Sequence, residues 1–412
     1  MTLELVETPL MLRLLPLVLG AFAVGAETFM ISGVLPQIAA DLHVTAASAG
    51  SLVTIFALAY ALGSPLLAVA SAGLERKRLL LAAIGAFALA NLLAALAPSF
   101  LWLAAARVLL ALSAGLFMPA AVAFATATHA PEKRGKAVAL VYAGMTLATV
   151  VGVPAGTYLA AAASWRAPFL GVAILSALAF AGVAAVLPRQ AGIVGFGLRE
   201  RLAAARRPDV LALLALTMAA LVGPFAANTY LGLLVEATFG FGGDRLAAAL
   251  LLFGAMSFFG SQFGGYGADR WPRERFIAAI FAVLVVAFAL LAIAPRWGGF
   301  SGGAALLAGL SLWGLFGWAF PIVQQARLVS LDPALAPITL SLNVSALYLG
   351  AAIGSLLGGL AVRQGSVGAV GWVAAASELV ALALLVATAA PQPRAAVTQP
   401  ERPRALWLEA GE

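Results

Sequence analysis

Long apolar runs, each near 20 residues, repeat along the whole chain and are separated by short clusters of charged residues, proline or glycine. A run of that length crosses a ~30 Å hydrocarbon layer as a helix. The breaks predict twelve spans, near 13–35, 48–70, 79–97, 100–126, 137–161, 167–187, 209–235, 246–268, 276–295, 302–327, 337–361 and 368–390. The thinnest separation is "APSF", between the third and fourth runs. The first run is too long for the apolar region of a signal peptide and no cleavage site follows it, so it is read as the first span. The predicted fold class is an all-α polytopic membrane protein.

The basic residues are not spread evenly between the runs. Arg13, residues 76–78, Lys133, Arg134 and Lys136, five arginines between 189 and 207, Arg270, Arg273 and Arg275, Arg327, and Arg394, Arg402 and Arg404 all fall at the termini or in even-numbered connections. The odd-numbered connections hold only Arg166, Arg245, Arg296 and Arg363. Because cytoplasmic loops carry the excess of Lys and Arg, both termini and the middle connection are expected on the cytoplasmic side. This distribution accounts for the net charge of +7 without a nucleic-acid partner. The middle connection, 188–208, carries "GLRERLAAARR" and reads equally as an amphipathic helix on an anionic leaflet or as a solvated linker. The tail, 391–412, is Pro-rich and polar and is expected to be disordered.

Composition narrows the chemistry. The chain is 63% hydrophobic and 10% charged, against about 25% charged in soluble domains. It has no cysteine, two histidines and three lysines, so no thiolate or metal site is expected and no phosphate-cradling Gly-rich loop ends in Lys. No Ser/His/Asp arrangement sits at a depth suited to intramembrane hydrolysis. An enzyme is therefore not expected, nor any cofactor. An ion gradient is the remaining energy source, one charge crossing 100 mV yielding about 2.3 kcal/mol.

The chain repeats itself. "GSPLLAVASAGLERKR" (63–78) aligns without a gap on "GSQFGGYGADRWPRER" (260–275), matching Gly63, Ser64, Arg76 and Arg78 to Gly260, Ser261, Arg273 and Arg275. Gly152 and Gly156 likewise match Gly350 and Gly354. The expected organisation is a six-helix bundle over 1–187, the connection 188–208, a related six-helix bundle over 209–390, and the tail. Transporters use such repeats to rock two halves about a midplane site.

In order along the chain, "SGVLPQIAADLHVT", "GSPLLAVASAGLERKR", "AARVLLALSAG", "GMTLATVVGVPAGTY", "SWR" and "GADRWPRER" resemble the major facilitator superfamily. The resemblance is to its twelve-span drug/proton antiporter branch, with arabinose-efflux-permease-like members, and covers nearly the whole chain. It implies two six-helix pseudo-repeats working by alternating access. It also implies that Asp269 and the arginines Arg270 and Arg273 belong to a cytoplasmic latch, and that Gly152, Pro154 and Gly156 mark an antiporter's flexing fifth span. The first-half counterpart of Asp269 is Ala72, so a symmetric latch is not expected. A plain basic turn explains those arginines, but neither Asp269 nor the glycines beside it.

Glu27 lies well inside the first span, where a charged side chain costs about 2.5–3.5 kcal/mol on insertion scales. Burial disfavours the charged form of a carboxyl, so one facing a water-filled cavity can exchange a proton for a substrate. The alternative is a structural, hydrogen-bonded Glu. Arg107, in the fourth span, needs a partner for the same reason, either Glu27 or backbone carbonyls; the resemblance implies a part in proton relay. Asn228 and Asn343 are candidate cavity-lining hydrogen-bonders, and Glu378 is expected to tie helices together. Second-half aromatics, among them Phe225, Tyr230 and Trp318, are candidates for an apolar pocket.

The reading is a secondary active transporter that exports a small amphipathic or sugar-like compound in exchange for protons. The same fold working as a proton-coupled uptake symporter or a facilitator is the alternative. Its partners are the small-molecule substrate, protons and the lipid bilayer of a bacterial inner membrane, and a monomer is the expected unit.

Overall fold

The computed structural model describes residues 10–192, 197–240 and 243–388, and no strand occurs among them. Among these described residues, twelve helices are long and apolar enough to cross a membrane: Arg13–Asp41, Ala46–Ala70, Arg76–Ala95, Phe100–Ala127, Glu132–Ala162, Arg166–Val186, Pro208–Thr229, Asp244–Arg270, Arg273–Trp297, Gly299–Leu331, Ala336–Gln364 and Ala369–Thr388. They coincide in number and order with the twelve predicted runs. Even the doubtful third break is real, because Ser99 caps the fourth span by accepting from the Trp102 amide at 3.4 Å. Large apolar side chains such as Leu62, Leu101, Ile174 and Val386 point outward and are exposed, as a lipid-facing surface requires.

Four spans depart from simple rods. The first continues through Pro36 to Asp41 and ends where His43 takes φ 54°, a left-handed residue of the kind that closes helices. The fifth widens into a π turn at Ala148–Gly152, just before Pro154, where the missing proline N–H loosens the regular ladder. The seventh stops at Tyr230 and resumes as Leu231–Phe239. The tenth is broken at Trp318, between Gly299–Gly317 and Ala319–Leu331.

Helix neighbours repeat with a shift of six. The first span packs on the fifth and sixth, the second on the fourth, and the third on the fourth and sixth; the seventh packs on the eleventh and twelfth, the eighth on the tenth, and the ninth on the tenth and twelfth. The matched glycines do matching work. Gly63 lets the second span approach Leu112 of the fourth, as Gly260 lets the eighth approach the Gly314 and Leu315 carbonyls of the tenth. Gly152 seats the fifth span on Phe22 and Ala26 of the first, and Gly350 seats the eleventh on Met218 and Leu221 of the seventh. Small residues serve here because helices in lipid associate through close backbone packing.

The halves meet through two crossed pairs, the second span with the eleventh and the fifth with the eighth. Their closest contacts lie away from the basic turns. Ser355 donates to the Gly50 carbonyl across the halves at 2.9 Å, and within the second half the Tyr230 hydroxyl donates to the Ser355 carbonyl at 3.3 Å. The Tyr230 ring fills space left by Gly50, Gly358 and Gly359. A Cβ at Gly254 would lie 2.5 Å from the Thr149 carbonyl oxygen and 2.8 Å from the Val150 Cα, so there the eighth span touches the fifth backbone to backbone.

In the middle connection, Leu198–Ala205 is helical, with the Gly197 amide donating to Glu200 at 2.7 Å. Leu198 and Leu202 are exposed one turn apart, while Arg201 donates to Ser341 at 2.8 Å. Arg207 bonds both Asp209 and Asp332, which raises its guanidinium above the ordinary value and pins the connection to the turn before the eleventh span. The tail expected to be disordered lies outside the described residues.

Candidate functional site

Glu27 sits where the first span is clamped by the fifth. Gly25 brings the two close: a Cβ there would lie 2.9 Å from the Ala148 side chain and 3.1 Å from the Met145 Cα. Gly152 and Gly156 lie on the same contact, and Pro154 is buried beside them. The Glu27 carboxylate is thereby aimed at the fourth span, where it forms an ion pair with Arg107. Both side chains are 0% exposed. Of the two partners open to Arg107, the structure uses both kinds, since its Nε also donates to the Leu52 carbonyl at 3.4 Å.

The pair is joined at one point only. Arg107 Nη1 meets Glu27 Oε1, whereas Arg107 Nη2 and Glu27 Oε2 are buried without a hydrogen-bond partner. A two-point fork would satisfy all four atoms. One strong donor and one strong acceptor are instead left idle side by side, and such groups are costly to bury.

Aromatic rings wall the pair. The Arg107 guanidinium lies 4.3 Å from the Phe56 ring centre, within cation–π range. Tyr60 stacks on Tyr348 of the eleventh span at 3.9 Å between centres, and Phe56, which lies against Arg107, is 6.2 Å from the same Tyr348 ring. Tyr348 belongs to the second half, so the pair faces the interface between halves. Tyr142 of the fifth span is 47% exposed yet interacts electrostatically with Tyr60 and Tyr348. Phe29 extends this wall to Phe225 at 6.3 Å and Trp318 at 6.0 Å.

The other predicted residues separate. Asn343 accepts from Thr217 at 2.7 Å, and Gln324 donates to Thr217 at 3.1 Å and to the Leu213 carbonyl at 2.8 Å. Arg327 continues this chain to Gln324 and reaches Glu274 at 3.8 Å, so Asn343 sits in a polar network inside the second half. Asn228 is buried at the end of the seventh span, one turn from Phe225 and just before the Tyr230 break. Asp269 is exposed at the end of the eighth span and pairs with no described residue. Arg270 lies over the Tyr266 ring at 4.0 Å, and Arg273 donates to Ser330 at 2.8 Å. The tie expected of Glu378 is absent: it is fully buried and neither oxygen has a hydrogen-bond partner. A groove of about 620 Å³ lined by Thr238, Phe239, Arg245 and Leu252 opens at the end away from the basic turns, remote from the ion pair.

Sequence reasoning missed Phe56, Tyr60, Tyr142 and Tyr348. A signal existed: the chain has only six tyrosines, and Tyr60, Tyr142 and Tyr348 fall inside spans, where a phenol needs a polar neighbour.

A twelve-helix bundle of two repeats, with a buried ion pair facing the seam between them, defines a class of membrane transporter. Residues 17–333 match the Major Facilitator Superfamily, and the chain belongs to that family. It is 36% identical over 384 residues to a "Chloramphenicol resistance protein" of Streptomyces lividans, covering 90% of this chain and 95% of the other. It is 29% identical over 352 residues to the "Inner membrane transport protein YdhP" of Escherichia coli (strain K12), covering 85% and 89%. Among solved structures, a D-xylose-proton symporter shares the fold with TM-score 0.74 at 16% identity, over 92% of this chain and 97% of the other. The protein is thus a multi-pass membrane transporter and not an enzyme.

Proposed function

We propose that the protein exports a small amphipathic or sugar-like compound in exchange for protons, with Glu27 as the site where proton and substrate compete. The observation that supports this most is the half-made ion pair. Arg107 holds Glu27 by one contact and leaves Glu27 Oε2 and Arg107 Nη2 without partners. A proton arriving on Glu27 removes the charge that holds Arg107. A polar substrate group entering between the aromatic walls can take the idle donor. Either event changes the charge at the seam between halves, which is where it can bias their packing.

The arginine-rich end is the cytoplasmic end by the positive-inside rule, with both termini there, in a bacterial inner membrane. The closest inter-half contacts then lie on the far side, so the described state is inward-facing. Asp269, without a partner here, would be the latch made when the basic ends close, with Arg270 and Arg273 beside it. The π turn before Pro154 gives the fifth span a place to bend during that exchange. Asn228 borders the same seam beside the Tyr230 break, and Asn343 stiffens the second half behind it. The halves 1–187 and 209–390 move as the two bodies, the 188–208 connection joins them, and one monomer suffices.

The test is transport into everted membrane vesicles of a panel of neutral antibiotics, lipophilic cations and pentoses. Accumulation driven by an acid interior and abolished by a proton ionophore supports export. The alternative, proton-coupled uptake or facilitation, predicts accumulation only in right-side-out vesicles, or equilibration without a gradient.

A further inference from the structure

The helix of the middle connection, Leu198–Ala205, packs on the eleventh and seventh spans, and its faces differ in chemistry. Leu198 and Leu202, four residues apart, share one face and are 45% and 48% exposed. Glu200 lies on the opposite face and is taken up by the Gly197 amide at 2.7 Å. Arg199 and Arg206, seven residues apart, share a flank beside the leucines and are exposed; Arg206 still takes helical dihedrals. Arg201, on the other flank, donates to Ser341 at 2.8 Å, and Ala204 near it is buried. The outward side is thus two leucines bordered by two arginines, with the one acid turned away. Arg207 is engaged by Asp209 and Asp332, whereas Arg199 and Arg206 form no ion pair among the described residues.

Two anchors set the depth of this helix. Ser341 lies five residues into the eleventh span, Ala336–Gln364, about 7.5 Å along its axis. Arg207 reaches Asp332, just before that span, at 2.9 Å, and the seventh span begins at Pro208. The helix is therefore held alongside the ends of two membrane spans, at the level where hydrocarbon gives way to headgroups. Leucines exposed at that level meet acyl chains, and arginines beside them can lay their stems on the apolar boundary and their guanidinium groups on phosphates. A solvated linker would leave both leucines bare in water, which apolar surface disfavours.

We propose that this helix is a docking surface for the anionic phospholipids of the cytoplasmic leaflet, with Leu198 and Leu202 entering the acyl boundary and Arg199 and Arg206 holding lipid phosphates. Arg201 and Arg207 tie the helix to the eleventh span and the turn before it, so bound lipid fixes the basic end of the second half at the membrane surface. The choice of leaflet rests on the orientation proposed above; the binding of anionic lipid does not.

The chain has no native cysteine, so Leu198→Cys or Leu202→Cys in the full chain takes a single polarity-sensitive fluorophore while the other leucine stays. Labelled protein is placed in liposomes of phosphatidylcholine, with or without phosphatidylglycerol, and with or without a lipid carrying a shallow nitroxide quencher. Emission should be blue-shifted and quenched in the anionic membranes, and less so in the neutral ones. Each arginine near an anionic surface contributes about 5-fold to the bound-to-free ratio. Arg199→Gln together with Arg206→Gln should therefore lower that ratio about 25-fold, and high salt should act in the same direction. A label at Ile174→Cys, on an exposed apolar position of the sixth span, should stay quenched in every membrane and verifies insertion of each variant. Red-shifted, unquenched emission in all membranes means a solvated linker and overturns the proposal. A blue shift without lipid quenching means that protein covers the leucines, and quenching indifferent to lipid charge and to both arginines means apolar insertion alone; each also overturns it. A wrong orientation would appear separately, as labelling of Gly73→Cys in intact cells by a membrane-impermeant thiol reagent.

Discussion

Removing one side of the Glu27–Arg107 pair strands the other as a buried charge, and the two sides are not equivalent. Glu27→Gln leaves a guanidinium that stays protonated at any working pH, held only by the Leu52 carbonyl and the Phe56 ring. Breaking a buried pair in this way costs about 3–5 kcal/mol, or roughly a 150-fold or greater shift in the folding equilibrium at the lower bound. Arg107→Gln leaves a carboxyl that can neutralise itself by taking a proton, so its cost should be smaller. That cost should also shrink as pH falls. The folded variant then holds a proton that the unfolded chain, with an ordinary carboxyl, lacks until the solution reaches the usual carboxylate range, so acid favours the folded state. Replacing both residues removes both charges and should cost less than the sum of the singles, with a coupling of about 1–3 kcal/mol. The assay is equilibrium unfolding in mixed micelles for the four proteins of the cycle at two pH values. Strict additivity, or an Arg107→Gln cost above that of Glu27→Gln and independent of pH, would refute the geometry.

Gly254→Val drives a side chain into the Thr149–Val150 backbone and should wedge the halves apart at the far end, raising several-fold the yield of a basic-end disulfide in a protein that also carries Ala139→Cys and Gly265→Cys, positions found by extending the antiparallel register of Val150 and Gly254 toward the basic turns. Ser355→Ala deletes the one buried hydrogen bond to the Gly50 carbonyl across the halves and should destabilise the same closure by about 0.5–1.5 kcal/mol, seen as faster basic-end cross-linking. Asp41→Asn weakens an exposed pair with Arg166 and a bond from Trp165 at 2.9 Å. It should change stability by about 1 kcal/mol or less, and the change should fade in high salt.

Much of the architecture was legible because lipid imposes it on the sequence. Span number came from run length alone, and the repeat came from glycines whose spacing is fixed by close helix contacts, as Gly63 with Gly260 and Gly152 with Gly350 show. The cost of burying Glu27 and Arg107 announced that each needs a partner. That they partner each other, 80 positions apart, follows only from the clamp of the first span by the fifth and the crossing of the second and fourth. The aromatic wall was hidden because a mid-span tyrosine carries no periodic signature. The breaks at Tyr230 and Trp318 were hidden because neither residue is a usual helix breaker. Glu378 was expected to find a partner, and the helix that faces it offers a glycine instead.

The central claim is that Glu27 exchanges protons for substrate. Its most direct test is purified protein in liposomes holding an internal pH dye, given an imposed substrate gradient. Proton movement opposite to substrate, lost in Glu27→Gln while folded protein remains in the membrane, is the predicted result. Substrate flux with no proton movement, or proton movement unchanged in Glu27→Gln, would contradict it.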